Sequence, residues 1–122
     1  MNALQEKLLF LYKFIRSPKQ IGSITPSSYY LAAKMLEQAP WDRIDAVAEL
    51  GAGTGAITRY LGTVRREETK VFLFEKDDYL LDQLKSRYPD YSCHPDAGKL
   101  REVLDLERID GLDCILSGLP FF

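Results

Sequence analysis

Three glycines at alternate positions, Gly51, Gly53 and Gly55, separate a short apolar segment at residues 45–50 from Ile57, Tyr60, Leu61 and Val64 at helical spacing. Glycine lets a backbone turn sharply at positive φ, so the pattern reads strand, tight turn, helix. A strand that hands over to a helix reaches its next sheet partner by a crossover, which favours parallel pairing. Residues 70–74, Lys-Val-Phe-Leu-Phe, supply that partner as an apolar run suited to burial on both faces. The run ends on Glu75, and Asp77 or Asp78 then caps a helix through Leu80, Leu81, Leu84 and Tyr88 that Pro89 stops. A short segment at 91–93, a loop at 94–98, a helix from about 99 to 106 and a strand at 113–116 complete the order. Strands alternating with helices predict an α/β fold: a parallel, Rossmann-like sheet of about four strands with helices on both faces.

Ahead of the sheet, Leu4, Leu8, Leu11, Tyr12 and Ile15 recur at helical spacing, with Leu9, Phe10 and Phe14 widening the apolar surface. Pro18 ends that helix at Ser17. A second helix is capped by Thr25 or Ser27, takes Pro26 in its first turn and runs through Leu31, Met35 and Leu36 to Pro40. The expectation is one domain over 1–122, with two leading helices in 1–40 and a half-sheet in 41–122. A hydrophobic content of 46% in 122 residues allows one core. No apolar run approaches the roughly 20 residues of a membrane span, so the expected location is cytoplasmic. Cys93 and Cys114 lack Cys-x-x-Cys spacing and a surrounding ligand cluster, and read as reduced, buried thiols with no metal site.

A glycine turn between strand and helix brings backbone close to a ligand of the nucleotide kind. Gly51-x-Gly53-x-x-Ala56 also satisfies the dinucleotide fingerprint, with Glu75 about where a ribose-binding acid belongs. Glu49 argues against a dinucleotide: beside the turn it would repel a pyrophosphate, whereas the ammonium and sulfonium charges of S-adenosylmethionine suit it, directly or through water. A structural glycine turn with a solvated Glu49 is the alternative.

The run Ala48-Glu49-Leu50-Gly51-Ala52-Gly53-Thr54-Gly55 resembles the first motif of class I S-adenosylmethionine-dependent methyltransferases. That resemblance implies that Gly51, Ala52, Gly53 and Gly55 wrap the methionine portion. It further implies that Glu75, with Lys76 beside it, meets the ribose, and that Asp96 and Ala97 lie along the adenine. Asp96 also reads as an ordinary cap of the helix that follows. His94, the one histidine, precedes Pro95 and reads as structural.

Ser117-Gly118-Leu119-Pro120-Phe121 resembles the stretch by which amino-methylating enzymes hold the target nitrogen, with Ser117-Gly118 where an Asn is usual. Together with Gly22-x-x-x-Pro26-Ser27-Ser28, it is similar to bacterial phospholipid N-methyltransferases and the related ribosomal RNA adenine dimethyltransferases. The implied role of Ser117, Gly118, Leu119, Pro120 and Phe121 is to position an amine for in-line displacement, with Ser117 also at the cofactor. The implied substrate is a phospholipid head-group amine, with ribosomal adenine as the alternative. Charge agrees: Lys7, Lys13, Arg16 and Lys19 face Glu6 alone, +3 within the first 20 residues of a chain of net charge −2. A basic, apolar first helix suits an anionic membrane surface, and the acidic remainder offers RNA little. Family members continue through about three more strands, so the resemblance implies an amino-terminal half whose fourth strand is an exposed edge, favouring homodimer formation. A dinucleotide oxidoreductase and a non-catalytic, cofactor-binding or self-associating fragment are the other classes.

Overall fold

The computed structural model describes residues 10–13 and 26–117. Its strands are β1 (Phe10–Lys13), β2 (Ala46–Leu50), β3 (Lys70–Phe74), β4 (Ser92–His94) and β5 (Cys114–Ser117). All pair in parallel in a five-stranded sheet of order β1-β5-β2-β3-β4. The helices are α1 (Pro26–Gln38), α2 (Ala56–Val64), α3 (Asp78–Arg87) and α4 (Leu100–Leu106), with 3-10 turns at Trp41–Arg43 and Ala97–Lys99.

Period-two alternation in the central strands sorts side chains to two faces. Val47, Val71, Leu73, Cys114 and Leu116 pack against Ala32 and Leu36 of α1, Ile57 and Leu61 of α2 and Leu84 of α3. On the opposite face Ala46, Ala48, Phe72 and Phe74 meet Val103 and Leu104 of α4. Helices therefore cover both faces, as the alternation of elements predicts, and β2 and β3 are buried on each side. A fully buried side chain such as Leu61 or Leu73 contributes about 1.5–3 kcal/mol by leaving water.

Polar groups pin the amino ends of the strands. Asp113 Oδ2 accepts the N–H groups of Asp45 (2.7 Å) and Ala46 (3.1 Å). Arg66 donates to the carbonyls of Trp41 and Ile44 and to Asp45 Oδ1 at 2.7–3.1 Å. These bonds fasten the segments that lead into β2, β3 and β5 to one another.

Two expectations are corrected. Phe10–Lys13 lies within the predicted first helix and is a strand, with Leu11 opposite Ile115 and Lys13 opposite Ser117. The physical reason is that an unbroken apolar and aromatic run satisfies a buried strand as well as a helix, and here it gains a sheet partner. The remainder of that helix, and the loop up to Thr25, lie outside the described residues. The second correction follows from the first: β5 is flanked by β1 and β2, so it is an interior strand and not an exposed edge. Cys114 is buried, and Cys93 is only half-buried. No described helix is long and apolar enough to cross a membrane.

Candidate functional site at the carboxyl ends of the strands

Register brings the carboxyl ends together: Leu50 pairs with Phe74 and with Ser117, and Phe74 pairs with His94. In doubly wound sheets the loops at this end, beside the strand where the crossovers reverse direction, form the ligand crevice. Here that strand is β2, between β3 and β5.

The loop after β2 is built on three left-handed glycines, with φ of 76° at Gly51, 63° at Gly53 and 87° at Gly55. Side chains other than glycine are strained in this region, which is why the alternate spacing is needed. The N–H groups of Gly51 and Ala52 both donate to the Phe74 carbonyl, at 2.7 and 3.1 Å, folding the loop back over the end of β3. Gly55 leads into α2 with no room to spare, since a Cβ there would stand 3.2 Å from Leu84 and 3.3 Å from Arg87.

Glu75 joins this loop to the next. Its Oε1 accepts the Gly53 N–H at 2.6 Å, its Oε2 accepts the Asp77 N–H at 2.9 Å, and its own N–H donates to the His94 carbonyl at 3.0 Å. The carboxylate is thus fixed between the glycine turn and the start of α3, where Asp77 caps by accepting the Leu80 N–H. Carboxylate oxygens each accept more than one hydrogen bond, the chemistry that a pair of ligand hydroxyls requires.

A cleft of about 650 Å³ opens beside Glu75. Gly51, Phe74, Glu75 and Lys76 form one side, and the loop from Pro95 to Gly98 forms the other. Its size falls within the range of small-molecule sites. Asp96 accepts the Gly98 N–H at 2.8 Å through Oδ1, capping the turn Ala97–Lys99, so it is both the helix cap and a wall of the cleft.

Glu49 occupies a different position from the rest. It is fully buried, and its Oε1 accepts a hydrogen bond from Thr58 Oγ1 at 2.6 Å. The carboxylate sits beneath the glycine loop, against the first turn of α2, and not at the surface of the cleft. The alternative of a solvated Glu49 is excluded by this burial. Ser117 is also fully buried, next to Leu50 at the end of β5. Gly118, Leu119, Pro120 and Phe121 lie outside the described residues.

His94 is held by its neighbours: Nε2 pairs with Ser92 Oγ at 2.6 Å, Glu107 lies beyond, and the ring packs on Phe74. Among the described residues, no group of three or more His, Cys, Asp or Glu is placed to hold a metal ion. Two residues of the site were not read from sequence. Thr58 is one; its signal was a polar residue on the apolar face of α2, between Ile57 and Leu61. Arg87 is the other, donating to the Thr54 carbonyl at 3.0 Å from across the loop, and nothing in its sequence context marks it.

No protein-family model matches the chain. An ornithine lipid N-methyltransferase of Singulisphaera acidiphila is 31% identical over 121 residues, which take in 96% of this chain and 63% of that protein. A ribosomal RNA small subunit methyltransferase A of Shouchella clausii is 31% identical over 128 residues, 99% of this chain and 40% of the relative. Among solved structures, the 23S rRNA methyltransferase ErmE aligns with a TM-score of 0.44 and 23% identity, over 61% of this chain and 29% of its own. The chain spans less than two thirds of the length of each of these proteins.

Proposed function

We propose that this chain, which belongs by homology with the methyltransferases, forms the S-adenosylmethionine-binding part of an N-methyltransferase that acts on a lipid head-group amine. The observation that carries the cofactor reading is the doubly anchored Glu75, held at the mouth of a nucleoside-sized cleft by the Gly53 and Asp77 N–H groups. Fixed acceptors that need no reorganisation favour a diol over bulk water. Gly51, Ala52, Gly53 and Gly55 would lie along the methionine portion, Glu75 and Lys76 at the ribose, and Asp96 and Ala97 at the adenine. Glu49 would contribute a negative charge from beneath the loop, which suits a cationic ligand and opposes a pyrophosphate.

When bound, S-adenosylmethionine supplies a sulfonium methyl open to displacement by a neutral amine. The chain's part is to hold that amine in line, which asks for orientation and not for a strong base. Ser117, Gly118, Leu119, Pro120 and Phe121 are assigned this role, with the Phe121 ring offered to the positive charge that grows on nitrogen. The lipid substrate is favoured by the match to the ornithine lipid enzyme, which extends over 63% of that protein against 40% for the ribosomal RNA enzyme. The acidic balance of the chain, net −2, points the same way, because RNA binding relies on phosphate neutralisation by Lys and Arg.

The test has two stages. Calorimetry with S-adenosylmethionine and with NAD comes first; tighter binding of NAD would refute the cofactor assignment. Labelled S-adenosylmethionine is then supplied to the complete protein with vesicles of ornithine lipid or phosphatidylethanolamine, or with ribosomal RNA. Transfer to lipid is expected, and label in RNA alone would establish the second reading, adenine methylation.

A further inference from the structure

We infer that Thr58 is a positioning residue for ligand charge: its buried hydroxyl holds Glu49 as a carboxylate beneath the glycine turn, so that the site distinguishes a sulfonium from a neutral thioether. The inference rests on the reading that S-adenosylmethionine binds at this turn. Its basis is a single contact and its surroundings. Thr58 Oγ1 lies 2.6 Å from Glu49 Oε1, and both residues are fully buried. A hydroxyl donates one proton, and hydroxyl–carboxylate bonds fall at about 2.5–2.7 Å, shorter than bonds between neutral hydroxyls and carbonyls.

The neighbours sharpen the point. Glu49 is paired across the sheet with Leu73 and Leu116, so its strand partners offer apolar side chains. A polar contact comes from α2, where Thr58 is the third helical residue after Gly55, in the turn that carries the positive end of the helix dipole. Buried carboxylates persist when hydrogen-bonded and face a steep penalty when not. Thr58 is not among the residues that line the cleft. Its effect on a ligand passes through Glu49, whose charge acts at low dielectric across the loop.

S-adenosylmethionine and S-adenosylhomocysteine share every group except the methyl and its charge, so their affinity ratio isolates this effect. Calorimetry with both ligands is carried out on the wild-type chain, Thr58→Val, Thr58→Ser, Glu49→Gln and the double variant Thr58→Val/Glu49→Gln. Thr58→Val is expected to lower the ratio of S-adenosylmethionine to S-adenosylhomocysteine affinity roughly tenfold, the worth of one charge-assisted hydrogen bond. Thr58→Ser should restore it, and the double variant should fall no further than Glu49→Gln alone. Should Thr58→Val fail to fold, Thr58→Ala removes the same hydroxyl without a new methyl and carries the comparison. Equal weakening of both ligands, or additive effects in the double variant, would overturn the inference while leaving the cofactor reading intact. If the wild-type chain binds neither ligand, the cofactor reading fails and the inference with it.

Discussion

The Gly53 N–H donates to Glu75 Oε1 at 2.6 Å, tying the loop after β2 to the loop after β3 across 22 residues of sequence. A residue that reads as a ligand contact is therefore also a structural strut, and its two roles need separating. Glu75→Gln keeps the shape but turns an NH₂ toward one of two backbone donors, Gly53 or Asp77. We expect unfolding free energy to fall by about 1–3 kcal/mol, with S-adenosylmethionine affinity falling in addition. Denaturant titration and calorimetry on the same sample give both numbers. A variant that melts like wild type would show that the strut carries no load.

Gly55 is the turn glycine whose substitution has two independent costs. Its φ of 87° strains any other residue, and a Cβ would press on Leu84 Cδ2 at 3.2 Å and Arg87 Nη1 at 3.3 Å. Gly55→Ala should destabilise by about 1–3 kcal/mol from backbone strain, more if Leu84 cannot shift. It should also displace Arg87 from the Thr54 carbonyl and loosen the loop. Urea unfolding of Gly55→Ala beside Arg87→Ala separates the two; equal stability of Gly55→Ala and wild type would refute the strain argument.

These residues also show where sequence was readable. The strand at 70–74 is legible residue for residue, because a short apolar run bounded by Glu75 and the capping Asp77 has one consistent interpretation. The glycine turn was legible because alternate glycines have few uses besides left-handed backbone. Phe10–Lys13 was not, since its run suits either period and the partner that decides, β5, lies far along the chain. Glu49 reads from sequence as adjacent to Gly51, whereas its burial against Thr58 depends on how α2 packs. Thr58 and Arg87 act through contacts that exist only once the helices are docked.

Cys114 predicts a loss of stability in alkali. Burial, with the neighbouring Asp113 charge adding to it, pushes its thiol up from an ordinary value of 9.0 to about 12. Below about pH 9 the thiol is protonated in folded and unfolded chains alike, and no difference arises. Between about pH 9 and about pH 12 the unfolded chain releases its proton while the folded chain retains it, so rising pH favours unfolding. Tyr60 adds to this trend above its ordinary 10.0, because the hydrogen bond to Glu37 raises it to about 12. Urea titrations across that range should show a falling midpoint, and the fall should be shallower in Cys114→Ala. An identical slope in the variant would remove the thiol from the account.

The last prediction concerns the sheet edge that β1 covers. Four consecutive residues, Phe10–Lys13, are in register with Cys114–Ser117, and β2 holds the other side of β5. Strands with unpaired N–H and C=O groups recruit further strands, and β5 carries Cys114, Ile115 and Leu116, an apolar sequence with no charge to discourage it. Removing residues 1–13 should therefore uncover a parallel edge on β5. Light scattering should then report a larger mass for the shortened chain than for the whole one at equal concentration. A Leu11→Pro substitution, which sets a proline in the middle of β1 without shortening the chain, should produce a smaller shift in the same direction. If both variants match the parent in mass and in exchange protection of the β5 amides, then β1 does not guard this edge, and the helix read from Leu4, Leu8, Leu11 and Ile15 regains its standing.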